Sequence, residues 1–347
     1  MGRRSLPVPE LFAAATAGDR AALARLLSLI ERGGDEAREI GRTSYSAAGA
    51  GYTVGLTGAP GAGKSTLTSA LIGHLRRSGV EVAVLAIDPS SPFTGGAILG
   101  DRVRMQDHAT DEGVFIRSMA TRGHLGGLSL STPEAVRLLD AVGKRWILVE
   151  TVGVGQVEVE IAGKADTTVV VVNPGWGDSV QANKAGLMEI ADVFVINKAD
   201  RKGVEETRRD LEQMLELSDI APDAWRPPIV SVVATEQKGV DQLWDTVLEH
   251  RQFISTNGEL ARRREFRLGE ELREVVARRL EQRARAVMGD DRWTSVQGEV
   301  VHGRLDPWTA ADQMLGVQRR VGDVDRRHVG VLDVGGLKVG AYYISVE

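Results

Sequence analysis

One eight-residue segment, GAPGAGKS from Gly58 to Ser65, narrows what this chain can be more than any other. It follows a short apolar run, Val54–Leu56, and precedes the helix-forming text TLTSALIGHL. Glycines permit backbone conformations and close approaches that a side chain blocks, so several amides in such a loop can converge on one anion. The helix that follows adds the partial positive charge of its N-terminus. Strand, glycine loop, Lys-Ser and helix in that order read as a phosphate-binding loop, not as a chance glycine turn. Gly58, Ala59, Pro60, Gly61, Ala62, Gly63, Lys64, Ser65 and Thr66 are therefore expected to wrap the phosphates of a nucleotide. Lys64 is expected to reach the β- and γ-phosphates, and the Ser65 hydroxyl to coordinate Mg2+.

The text around this loop predicts an α/β fold with a mostly parallel, doubly wound sheet. Val54–Leu56, Val82–Ile87, Trp146–Val149, Thr168–Val172, Val193–Asn197 and Ile229–Val233 are short runs separated by helix-length segments. Several are apolar almost without interruption, as strands covered on both faces are. Residues 1 to about 40 read as helices, with Leu23, Leu26, Leu27 and Ile30 at helical spacing and Asp19 as an N-cap. The Gly/Ser/Ala-rich stretch 41–51 reads as a linker. The expected organisation is a helical segment and linker over 1–50, a nucleotide domain over 51–255, a helical arm over 256–315, and a tail over 316–347. In the arm, 259–288 predicts one long charged helix with a narrow apolar stripe of Leu268, Leu272, Val275, Val276 and Leu280. Its nine arginines are interspersed with six glutamates, which favours a solvated face with one packing seam over a nucleic-acid surface. The tail carries glycine-rich, alternating text compatible with a hairpin.

The base is named by NKAD, Asn197 to Asp200, directly after the run Val193–Ile196. A carboxylate there accepts hydrogen bonds from guanine N1 and its exocyclic amino group. Adenine offers neither donor and would leave that carboxylate unpaired. Asn197 is expected to tie this loop to the phosphate loop, and the Lys198 stem to cover the base. Val233 and Ala234, in SVVAT, fit a second base-contacting loop. The nucleotide is thus expected to be GTP or GDP. Asp88, Asp101 and Glu150 lie at or just beyond carboxyl ends of expected strands, where ligands bind in such sheets, and supply the hard oxygen that Mg2+ takes. Gly153 can present its amide to the γ-phosphate, and Glu150 can orient a metal-bound or attacking water. Lys184, in the glycine-flanked segment NPGWGDSVQANKAG, is a candidate cation for the γ-phosphate oxygens.

Composition excludes several other functions. There is no cysteine, which removes disulfides, thiolate metal sites and thiol nucleophiles. The net charge of −5 gives no electrostatic case for nucleic acid or an anionic membrane. No apolar run of membrane-spanning length is present, and a cytoplasmic location is expected.

DPSSPFTGGAILGDRVRM, FIRSMATRGHLGG, ETVGVGQVEVE and NPGWGDSVQANKAG closely resemble segments of the MeaB/ArgK GTPases. These are the bacterial counterparts of the methylmalonic aciduria type A protein. The resemblance runs from about Leu27 to Leu315. It implies a SIMIBI-type P-loop fold and a GTPase chaperone that protects and reactivates an adenosylcobalamin-dependent mutase, typically methylmalonyl-CoA mutase, by gating cofactor delivery. It also implies a homodimer formed through the C-terminal arm. On the matching positions, Asp88 and Asp101 fall in a first switch, Glu150 and Gly153 in a second, and Pro174–Lys184 in a third that meets the mutase. Val157 departs from the pattern, which has a small polar residue there, and the tail after Leu315 matches nothing in the family. An ATP-using transport kinase, another label given to the family, conflicts with NKAD. A nickel-type metallochaperone conflicts with six scattered histidines and no cysteine.

Overall fold

The computed structural model describes residues 6–89, 106–108, 110–121, 131–151, 164–175, 189–218, 220–316, 333–334 and 337–338. Two compact units result, Met1–Gly269 and Glu270–Glu347.

Among the described residues the first unit has seven strands: β1 (Tyr52–Thr57), β2 (Val82–Pro89), β3 (Val114–Thr121), β4 (Trp146–Thr151), β5 (Thr167–Val172), β6 (Val193–Asn197) and β7 (Ile229–Val232). Every pairing is parallel, in the order β3-β2-β4-β1-β5-β6-β7. This is the expected parallel sheet with one strand more. The reading of the sequence passed over β3 because Arg117 and Ser118 interrupt its apolar text. The structure resolves that conflict at the sheet's edge, where the Arg117 guanidinium pairs with Glu31 and bonds Ser28 at 3.1 Å.

Alternate residues of the strands feed opposite faces. Leu148, Val169 and Val171 pack with α4 (Lys64–Arg77) and α7 (Val240–Thr256). Ile147 and Val149 pack instead with α1 (Val8–Thr16), α2 (Arg20–Arg32) and α5 (Ser131–Ala141). Val170 and Val172 meet α6 (Val204–Leu217). Asp19 caps α2 as expected, accepting from the amides of Ala21 and Ala22 at 2.9 and 3.2 Å. The expected linker is a correction: α3 runs from Asp35 to Ala47 and takes in most of it. Ser44 is buried and bonds back to the Ile40 carbonyl at 2.8 Å, so its hydroxyl needs no loop. Only Ala48–Gly51 separates α3 from β1, with the Gly49 and Gly51 amides held by the Asp140 carboxylate at 2.5 and 2.6 Å.

After α7 the long helix α8 runs from Glu259 to Met288, as its text predicts. Its first turns are fastened to the amino-terminal edge of the sheet. Asp166, just before β5, accepts from the Thr53 amide at 3.0 Å, from Arg264 at 2.7 and 3.1 Å, and from Arg267 at 2.5 Å. Asp192, just before β6, accepts from the Thr168 amide at 2.8 Å and from Arg263 at 3.0 and 3.1 Å. Arg264 also reaches the Gly51 carbonyl at 2.8 Å. His250, fully buried, lies 3.2 Å from Asp192 through Nε2 and 2.8 Å from Thr167 Oγ1 through Nδ1. In the second unit, α9 (Asp290–Val301) and α10 (Pro307–Leu315) follow, α10 capped by Asp306. In the tail, β8 (Asp333–Val334) and β9 (Leu337–Lys338) pair antiparallel.

Burial alone raises the Asp166 carboxyl. The Arg264 hydrogen bond, the charges of Arg267 and Arg264, and the Thr53 amide outweigh it and hold it below the usual carboxylate range. Stability from this group is therefore present above its unfolded pKa of about 3.9 and is lost as pH falls through the lower folded value. Arg264→Met should destabilise the protein by about 3 kcal/mol, the low end for removing one partner of a buried pair, because Arg267 remains. Thermal unfolding across pH checks this: the gap between wild type and variant should be full at neutral pH and narrow as pH falls below about 4, leaving only the part due to the Gly51 carbonyl bond.

Candidate nucleotide site

In a parallel sheet of this order the carboxyl ends of the strands form one edge, and β1 sits between β4 and β5 where the chain's direction of progress reverses. The loop after β1 is folded tightly onto its neighbours. Gly58 has φ 135°, and a Cβ there would lie 2.0 Å from the Val171 carbonyl oxygen. Gly63 has φ 93°, and its Cβ would lie 2.4 Å from Asn197 Nδ2. Both positions thus demand glycine for two independent reasons, conformation and space.

Lys64 and Ser65 open α4 and are both buried. The Lys64 ammonium curls back over the loop, donating to the Gly58 carbonyl and to that of Ala59 at 3.2 Å. Ser65 Oγ donates to Glu150 Oε1 at 2.5 Å. Glu150 is fully buried near the end of β4. The pairing Ala86↔Glu150 puts Asp88 two residues further along the neighbouring strand. The Asp88 side chain lies outside the described part of the molecule, and so do Asp101, Gly153, Val157 and Lys184.

The opposite wall is organised by Asn197 at the end of β6. Its Nδ2 donates to the carbonyls of Ala62 and Gly63 at 2.9 and 3.4 Å. Its Oδ1 accepts from the amides of Lys198 and Ala234 at 2.8 and 3.3 Å. Lys198 adopts the left-handed conformation that side chains seldom take, φ 58°, and its ammonium reaches the Gly61 carbonyl at 2.7 Å. The Val233–Ala234 loop is closed by an antiparallel bridge from Val233 to Lys238 and by Arg77 donating to Gln237 at 2.6 Å. Asp200 is exposed at the same edge. The structure thus gathers the glycine loop, Lys64, Ser65, Glu150, Asn197, Lys198 and Ala234 into one site. Arg77 and Gln237 were not legible as part of it, because neither belongs to a local motif.

Residues 23–289 match the family described as methylmalonyl Co-A mutase-associated GTPase MeaB. The chain belongs to the MeaB family of GTPases. A Pyrococcus abyssi protein named as a GTPase is 51% identical over 310 residues, 89% of this chain and 96% of that one. The mouse methylmalonic aciduria type A homolog, mitochondrial, is 35% identical over 275 residues, 74% of this chain and 66% of that protein. Among solved structures, one titled as a LAO/AO transport system kinase superposes with TM-score 0.66 at 28% identity, covering 90% of this chain and 97% of that one. As a MeaB-family GTPase this chain binds guanine nucleotide and hydrolyses GTP. No helix among the described residues is long and apolar enough to cross a membrane.

Asn197→Ala removes both donors and the acceptor that join three loops. It should weaken guanine-nucleotide binding by about tenfold to a hundredfold, the effect of about 1.4 to 3 kcal/mol of unmade buried hydrogen bonds. Titration with a fluorescent GDP analogue measures it.

Proposed function

We propose that this chain is a cytoplasmic GTPase chaperone that protects and reactivates an adenosylcobalamin-dependent acyl-CoA mutase, methylmalonyl-CoA mutase first among them, by gating cofactor delivery. The observation that carries the reading is the match to the mutase-associated family over most of the chain, with the glycine loop and NKAD drawn together by Asn197.

The site fits the groups this reading requires. Gly58 and Gly63 let the loop fold tightly against Val171 and Asn197, where any Cβ would clash, and a glycine loop so folded suits backbone amides that converge on phosphate oxygens. The Ser65 hydroxyl and the Glu150 carboxylate meet at 2.5 Å, a pair of hard oxygen donors suited to Mg2+, with Asp88 and Asp101 as further candidates. When bound, the metal neutralises charge on the phosphates. Gly58 to Thr66 hold the phosphates in place; Lys64 turns its ammonium from the loop carbonyls toward the β- and γ-oxygens. Glu150 orients water, Gly153 meets the γ-phosphate, and Lys184 supplies a cation when the partner docks. Asp200 reads guanine, with Asn197, Lys198, Val233 and Ala234 shaping its pocket.

The arm, 256–315, serves as the homodimer contact in this reading. Leu268, Leu272, Val276 and Leu280 of α8 are each more than 40% exposed, an apolar stripe that a second copy would cover. Asp200→Asn should weaken GTP and favour xanthosine triphosphate, whose 2-oxo group accepts from the new amide. Competition binding with both nucleotides checks the swap; equal GTP affinity in variant and wild type would remove Asp200 from the pocket. For the client, candidate cobalamin-dependent mutases are tested for co-purification and for stimulation of GTP turnover. Lys184→Ala should leave basal turnover nearly unchanged and abolish the stimulation, which a delivered cation can make as large as about 10³-fold or more. Stimulation by no mutase would overturn the chaperone reading, and full stimulation of the variant would move the cation elsewhere.

A further inference from the structure

Helix α8 is continuous from Glu259 to Met288, yet its two parts are held in different ways. As far as Arg267 its side chains are tied into the base of the sheet, Arg263 to Asp192 and Arg264 and Arg267 to Asp166. Asp166 and Asp192 are both buried, so these arginines are partners that the carboxylates cannot exchange freely for water. From Leu268 onward no side chain of the helix is tied to those two carboxylates, and Leu268, Leu272, Val276 and Leu280 are exposed. Gly269 stands where the holding stops. Nothing lies within 4 Å of the point a Cβ would occupy there, and its φ is not positive. Neither space nor conformation therefore calls for glycine. The compact first unit also ends at Gly269.

A glycine inside a helix weakens it more than any residue except proline, because the chain gains most freedom on leaving the helix and the backbone is open to water. Bends in long helices gather where water can enter the hydrogen-bond ladder, and hinges are a few positions that absorb the change in backbone angle. We propose that Gly269 is a hinge within α8: the turns up to Arg267 belong to the GTPase unit and move with it, and the helix bends where the arginine clamp ends. The clamp makes the hinge local, since a helix free along its whole length would have no preferred place to bend. Such a hinge lets the GTPase unit change its direction while the far half of the helix keeps its own contacts.

The absence of cysteine makes the test direct, because pairs of introduced cysteines take spin labels without background. One full-length variant carries labels at Glu249 on α7 and Glu265 on α8; a second carries them at Glu249 and Glu281, all three positions being exposed. Labelled chain is diluted into excess unlabelled chain, so that only distances within one chain report. The pair Glu249–Glu265 should give a narrow distance distribution and Glu249–Glu281 a broad one. Adding Gly269→Ala should narrow the second, leave the first alone, and slow amide exchange over 266–272 by about fivefold. A Glu249–Glu281 distribution as narrow as Glu249–Glu265 in the wild type overturns the proposal. So does a broad Glu249–Glu265 pair, which denies the clamp, or a second distribution that Gly269→Ala leaves unchanged.

Discussion

The nucleotide end of this molecule depends on a buried primary amide. Asn197 has two donors and one acceptor oxygen, and all of them are committed: the donors to Ala62 and Gly63, the oxygen to the amides of Lys198 and Ala234. No other side chain meets that demand in the same place. Aspartate brings no donor and would set a charge against two carbonyls; glutamine is a methylene too long for the gap. The constraint spreads outward. Because the amide nitrogen occupies the space a Cβ would need at position 63, that position is glycine. Because the next residue must turn its own amide back onto Asn197, Lys198 sits in the left-handed region, and its long side chain closes onto the Gly61 carbonyl. Residues far apart in sequence are thereby fixed by one group.

What the sequence made legible, and what it did not, follows from the range of each interaction. The glycine loop could be read because its strand, its glycines and its helix are contiguous and each contributes separately to the same chemistry. The inner strands could be read because both of their faces are buried, which leaves near-continuous Val and Ile. β3 could not, since an edge strand tolerates Arg117 once Glu31 and Ser28 of α2 receive it. The end of α3 was hidden by composition: GRTSYSA looks like loop, but Thr43 and Ser44 bond the carbonyls of Glu39 and Ile40 one turn back. The clamp of Asp166 and Asp192 on Arg263, Arg264 and Arg267 left no local trace at all. In the text those arginines look like part of a solvated, mixed-charge face, and only the long-range fold shows which of them are taken inward.

Strand β6 joins the two ends of this framework. It is five residues long, with Asp192 gripping Arg263 before its first residue and Asn197 gripping the glycine loop as its last. β5 is pinned in the same way, by Asp166 before it and by the close approach of Val171 to Gly58 near its end. Sliding either strand along its neighbours would disturb close contacts at both ends at once, so the register of both strands is fixed. Two of the cations at the phosphate end are turned to the same purpose, since Lys64 and Lys198 both donate to carbonyls of the glycine loop. Lys198 keeps the wall closed, and in the proposed reading Lys64, at α4's N-terminus, is the one of the pair that turns to phosphate. A transition state that spreads charge over three phosphoryl oxygens calls for more positive charge than one ammonium supplies. In the proposed reading the remaining positive charge comes from the metal and from the cation delivered when the partner docks, so that the described frame would hold the nucleotide and the added groups would set the rate.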